Sequence, residues 1–170
     1  MVKMLLTPGC GVAIGGSGSR GRIPGDSFQM PKAKQVAVIP WRDRSGLQVL
    51  LIRKRKGGRW GIPKGHIHDK SFDYHKAAVE ECHEEAGAEG RISRRFFGEF
   101  NYRRNGASHH VRVLTLRVKF LQPEYPEMEI RERSWFNLGD AAEMVGRKAL
   151  RKLIMALPAW IAQQKTATKA

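Results

Sequence analysis

The chain has 170 residues, 41% hydrophobic and 28% charged, the composition of an ordinary globular domain that can bury a core without disulfides or structural metal. Two cysteines, Cys10 and Cys82, exclude a disulfide framework, and no apolar run approaches the roughly 20 residues of a membrane helix. The net charge of +15 predicts attraction to anions, whether nucleic acid, acidic lipid or phosphorylated metabolites, and says little about fold.

Residues 1–33 read as a flexible leader, because GCGVAIGGSGSRGRIPGDS is rich in Gly and Ser and has no hydrophobic period. Met4 and Met30 each offer an alternative start. The short apolar run near Met1 is cut by Pro8-Gly9 before it reaches the length of a secretory core, so a soluble cytoplasmic protein is the expectation. A folded domain is expected over 34–160. QVAVIPW and LQVLLIRKR read as strands joined by a turn at 43–46. A basic, Gly-rich loop follows, KGGRWGIPKGHIHDKS, and then a helix from Asp73 as N-cap to Ala86, stopped by Gly87. RRFFGEFNY and HHVRVLTLRVKFL read as a second pair of strands, with Arg103, Arg104, His109 and His110 in the hairpin loop between them. An acidic loop, PEYPEMEIRE, leads to a short strand at SWF and a last helix from about Asp140 to Pro158, where proline cannot continue the ladder. Residues 161–170 complete the chain as a flexible tail.

The chemistry concentrates in the first helix. Glu81, Glu84 and Glu85 stand at i, i+3 and i+4, so all three carboxylates share one helix face. Hard divalent cations such as Mg²⁺ bind oxygen ligands and offset that crowding. Ala77, Ala78 and Cys82 supply a small apolar face to pack on a sheet. An isolated Glu-x-x-Glu-Glu is more often a solvated face, and what shifts the balance here is charge segregation. Seven of the 16 acids fall within 69–89, while 53–68 holds six Lys or Arg and no acid. Carboxylates that hold a metal, flanked by cations that hold substrate charge, suit phosphate chemistry.

The segment GHIHDKSFDYHKAAVEECHEEAG, with WGIPKGHI leading into it, resembles the box of the Nudix family, a glycine-led loop and a helix ending in R-E-x-x-E-E-x-G. The resemblance covers about 34–157, and with RERSWF and the helix after it the chain looks most like the subgroup containing diphosphoinositol polyphosphate phosphohydrolases. It implies an α/β fold, a Nudix-type α/β/α sandwich with a mixed sheet between helices. It also implies an Mg²⁺-dependent hydrolase (Mn²⁺ as substitute) in which a metal-polarised water attacks phosphorus. Glu81, Glu84, Glu85 and the Gly65 carbonyl stand at the metal positions, with Glu81 or Glu85 as general base. A later glutamate completes the site in many members; Glu124, Glu127, Glu129 and Glu132 are the candidates. Two positions depart from the pattern: Glu80 replaces the box arginine, and Ser71 or Phe72 replaces the earlier glutamate. Those two residues form a structural ion pair in the family, so their joint loss implies relaxed scaffolding, whereas losing one alone would strand a charge.

Arg53, Arg55, Arg59 and Lys64 are the expected substrate binders. Strand alternation gives Arg53 and Arg55 one face, and puts Arg112 and Arg117 on opposite faces. Trp60 is placed to stack on a base or to pack. Arg147, Lys148, Arg151 and Lys152 read as the solvated side of the last helix, whose Leu150, Leu153, Ile154 and Leu157 face the core. The histidine pair lacks further ligands at zinc spacing. The expected partner is a small phosphorylated molecule: a diadenosine polyphosphate, a diphosphoinositol polyphosphate or another nucleoside diphosphate derivative. Two alternatives stay open, removal of pyrophosphate from RNA 5′ ends and nucleic-acid binding on a non-catalytic scaffold. The oligomeric state is open as well.

Overall fold

In strand β1 (Gln35–Asp43) the side chains part by alternation: Val36 and Val38 enter one apolar cluster, Ala37, Ile39 and Trp41 another. That split, with both faces buried, makes β1 the centre of a sheet covered on two sides. The computed structural model describes residues 35–67 and 73–167; the leader, its two alternative starts and Ser71 and Phe72 lie outside them.

After β1 come β2 (Leu47–Lys54), β3 (Lys64–His66), helix α1 (Tyr74–Ala86), β4 (Ala88–Ile92), β5 (Gly98–Arg104), β6 (Ala107–Leu121), β7 (Arg131–Asn137), α2 (Leu138–Met144) and α3 (Lys148–Ala167). The main sheet runs β4-β6-β1-β2-β7, with β3 paired to β1 and β5 to β6. β1 and β6 are parallel and the other pairings antiparallel, so the sheet is mixed. Ala78, Cys82 and Ala86 pack α1 onto the Val36–Val38 face. Ala141, Ala142, Leu150, Ile154 and Leu157 close the other face with α2 and α3. The expected α/β/α sandwich is the fold observed.

Several boundaries differ from expectation. The hairpin loop shrinks to Asn105-Gly106, both at positive φ (50° and 77°), as a two-residue turn with this twist requires. Arg103 and Arg104 therefore lie in β5, and His109 and His110 in β6. Arg112 stacks over Tyr74 and Phe96, and Arg117 over Trp41, on opposite faces as their parity demands. The last helix is two helices. Val145 takes an extended conformation (ψ 130°) and bridges to Trp60, which breaks the ladder between them.

Pro158 does not end α3, which runs on to Ala167, so much of the expected tail is helical. A proline inside a helix costs about 3 kcal/mol. Trp160 and Ile161, just beyond it, are partly buried against the core. Large apolar side chains contribute about 1.5–3 kcal/mol each when fully buried, so two partly buried ones offset the defect.

Candidate metal and substrate site

Helix α1 is fixed at both ends. The Asp73 carboxylate accepts from the backbone N–H groups of His75 and Lys76, both at 3.0 Å. Gly87 closes the helix in the left-handed region (φ 54°), its N–H donating to the His83 carbonyl at 2.8 Å. Arg133 donates to the Ala86 and Gln122 carbonyls, bringing a cation to the negative end of the helix dipole.

With Ala78, Cys82 and Ala86 buried on the sheet, Glu81 and Glu85 come to rest against β3. The Glu85 carboxylate is 6% exposed and accepts from the Lys64 backbone N–H at 3.0 Å. Glu81 lies directly on Gly65: a Cβ there would stand 1.4 Å from Glu81 Oε1. A backbone with no side chain is therefore in contact with a carboxylate, an all-oxygen cradle suited to a hard cation. Glu84 is exposed at the rim, its backbone carbonyl accepting from the Glu127 N–H at 3.0 Å.

The electrostatics match this crowding. Burial raises the Glu85 carboxyl to about 7; Arg131 and the Lys64 N–H pull it down, while Glu81 and Glu127 push it up. Burial also raises Glu81, with Glu84 and Glu127 adding to the shift and Lys64 and Arg131 opposing it. The Cys82 thiol, fully buried beside Glu85 and Glu81, is raised far enough to be an inert packing group.

A pH dependence follows. The folded-state pKa of Glu85 is raised above its ordinary value of 4.5 to about 7. The metal-free protein therefore loses stability as pH climbs through that window, and the loss is complete above it. A cation binding this site displaces the proton, so its affinity is expected to weaken about tenfold for each unit below pH 7 and to level off above. Mn²⁺ titrations from pH 5.5 to 8.5 measure this; a flat profile would show that Glu85 is not a ligand.

Among the later glutamates, Glu127 joins the cluster through Arg131, which also contacts Glu85. Glu132 pairs with Arg53 instead, and Glu124 and Glu129 are exposed. Among the described residues no three acidic, His or Cys side chains converge as a preformed cage, and the Arg131 guanidinium stands between Glu85 and Glu127.

On the opposite face of the sheet a cavity of about 320 Å³ opens beside β3, lined by Arg59, Lys64 and Arg147 with Trp60 and Phe100. Lys64 Nζ is 5.6 Å from the Tyr102 ring centre, and the Arg147 guanidinium 4.3 Å from it. Arg59 packs on Gly146, where a Cβ would meet its Cδ at 2.6 Å. Of the four expected substrate binders, Arg59 and Lys64 thus share one cavity. Arg53 contacts Glu132 and lies 4.6 Å over Trp60, at the cavity's wall. Arg55 is drawn elsewhere, donating to the Met128 carbonyl at 2.9 Å.

Two residues escaped the sequence reading. Arg147, which helix periodicity puts on the solvated side, lines the cavity, because it lies in the break before α3 and outside the helix. Arg131 falls within PEYPEMEIRE, which reads as a loop in the sequence. Beginning the last strand at Arg131 would have revealed it, since alternation then puts Arg131, Arg133 and Trp135 on the α1 face.

A sequence model of the NUDIX domain matches residues 31–157. Nudix hydrolase 4 of Arabidopsis thaliana is 34% identical over 101 residues, 58% of this chain and 47% of that protein. Diphosphoinositol polyphosphate phosphohydrolase 3-alpha of Mus musculus is 30% identical over 115 residues, 66% of this chain and 68% of that one. The chain thus spans about half the length of the first relative and about two thirds of the second. The crystal structure of C. elegans Ap4A hydrolase superposes with a TM-score of 0.63 at 21% identity, covering 76% of this chain and 98% of that one. Family match and fold agree with the glutamate-bearing helix laid on a glycine strand: the chain belongs to the Nudix hydrolase family.

Proposed function

We propose that this protein is a divalent-metal-dependent pyrophosphohydrolase that cuts a diphosphate linkage in a small, highly anionic substrate. The observation that carries this reading is the joint placement of Glu81 and Glu85 on the backbone of β3, with a basic cavity on the other side of the same strand. Gly65, Glu81 and Glu85, with Glu84 at the rim, would hold Mg²⁺ or Mn²⁺. When bound, the ion would supply Lewis-acid chemistry, making a water more nucleophilic and offsetting charge on the phosphate oxygens. Glu81 or Glu85 takes the proton, since burial holds both carboxyls closer to neutral pH than an exposed glutamate. Lys64, Arg59 and Arg147 bind the substrate's remaining phosphates, and Trp60 and Phe100 give the cavity an apolar wall for a base or ring.

The relatives support two substrate classes. One of them is a diphosphoinositol polyphosphate phosphohydrolase, and the superposed structure is an Ap4A hydrolase. Three cations in one cavity suit either compound class. The test is turnover with Mg²⁺ of a panel holding diadenosine polyphosphates, diphosphoinositol polyphosphates, nucleotide sugars, nucleoside triphosphates and triphosphorylated RNA. The Arg147→Ala variant is expected to raise KM about tenfold to a hundredfold with little change in kcat, as loss of a charge-assisted hydrogen bond does. Among the described residues no helix is long and apolar enough to cross a membrane. Silence across the whole panel from a folded protein would reject the hydrolase reading.

A further inference from the structure

Glu81 and Glu127, both half-buried, crowd the buried Glu85. Their repulsion needs a counter-charge even without a metal. The family's box arginine cannot provide it, because that position is Glu80, which is exposed. The structure instead delivers a guanidinium from the far edge of the sheet. Arg131 opens β7, paired with Lys54 of β2, and its backbone N–H donates to the Glu127 carbonyl at 2.9 Å. Its base is thereby fixed while its fork reaches two carboxylates at once, Nη2 to Glu85 and Nε to Glu127. The Arg131 side chain is 19% exposed and that of Glu85 7%, so this is a largely desolvated pair, whose loss leaves uncompensated charge.

Glu85 Oε1 accepts from Arg131, and Oε2 accepts from the Lys64 N–H. Each oxygen thus already has one partner. A divalent ion binding Glu85 shares a carboxylate whose oxygens already accept from Arg131 and from the Lys64 N–H, and a cation so close to a guanidinium is repelled unless that group withdraws.

We propose that Arg131 is the acidic cluster's built-in counter-ion: it holds Glu85 and Glu127 together in the metal-free protein and competes with the divalent cation for Glu85. The inference rests on the reading that the Glu81–Glu85 face takes such a cation. It makes Arg131 a positioning residue whose withdrawal accompanies metal entry, and it sets metal affinity below what the carboxylates alone would give.

The test is Mn²⁺ binding, read from the free-ion paramagnetic resonance signal at pH 8, for the wild type, Arg131→Gln and Arg131→Lys. Arg131→Gln is expected to bind about tenfold or more tightly, since it removes a positive charge in contact with the site that repels the entering cation. Arg131→Lys, which keeps the charge but loses the fork, is expected between them. In the wild type, saturating Mg²⁺ is expected to shift the Arg131 Nε–H resonance in ¹⁵N spectra. Equal or weaker binding by Arg131→Gln overturns the proposal. If that variant does not fold, an Arg131 resonance indifferent to Mg²⁺ overturns it instead. Failure of all three proteins to bind Mn²⁺ would remove the metal site itself, and the hydrolase reading with it. Binding by the wild type without a gain in the variant would remove only the role of Arg131.

Discussion

Alanine at position 65 is expected to lower turnover about a hundredfold or more, the scale at which a misplacement of about 1 Å costs a catalytic constellation its rate. The added Cβ would stand 1.4 Å from Glu81 Oε1, 2.0 Å from its Cδ and 2.5 Å from Oε2. No rotamer change of alanine relieves this, because a methyl group has none. Either the Glu81 carboxylate leaves the strand or β3 leaves β1. The second course disrupts a three-residue strand held by the pairs Gln35↔His66, Val36↔Gly65 and Ala37↔Lys64. It would also carry away the Lys64 N–H that Glu85 accepts from. Either way the carboxylates and the backbone no longer face one another. Gly139→Ala is the control, because its Cβ would meet only Asn137 Oδ1 at an ordinary 3.7 Å and it lies in helix α2. Steady-state kinetics on both, with circular dichroism to confirm folding, decide the matter. Wild-type turnover by Gly65→Ala would mean that the contact is not part of the working site.

Glu85→Gln is expected to cost more, on the order of a thousandfold in kcat, whether its role is metal ligand, base or both. The glutamine has the same shape and keeps an oxygen for the Lys64 N–H, so the helix remains seated. Its effect is thus chemical, and the fold survives to show it. Glu81→Gln is expected to match it, because Glu81 shares the β3 contact. Glu84→Gln is expected to be milder, about tenfold, since the side chain is exposed and the hydrogen bond from Glu127 goes to the Glu84 backbone carbonyl. The order of the three losses is the informative quantity. A loss greatest at Glu84 would turn α1 about its axis relative to the site described here, and Glu85→Gln at wild-type rate would discard the assignment.

Much of this was legible in the chain, because the decisive patterns are local. The near-continuous apolar run QVAVIPW marks a strand, which the fold buries on both faces, and Asp73 and Gly87 bound a helix by hydrogen bonding and backbone conformation confined to its own ends. Glu81, Glu84 and Glu85 share a helix face by periodicity, wherever that helix is put. The loops were less legible because their structure depends on partners. β3 is three residues long and exists through β1, and β4 through β6. The proline that ends a helix by local rules is overruled by Trp160 and Ile161 packing beyond it.

The sequence by itself determined the carboxylate-bearing helix, since Glu81, Glu84 and Glu85 share a face by a spacing of a few residues, and its resemblance to the Nudix family implied the fold class and the part of Gly65. Only the tertiary structure decided which charges meet. Arg131 reaches Glu85 across 46 positions and Arg53 reaches Glu132 across 79, while Arg147 joins Lys64 in one cavity. Such pairings are set by strand order and by where the break between α2 and α3 falls. The physical reason is that a long charged side chain takes its partner from whatever the packed elements bring within reach, and no local period in the chain encodes that.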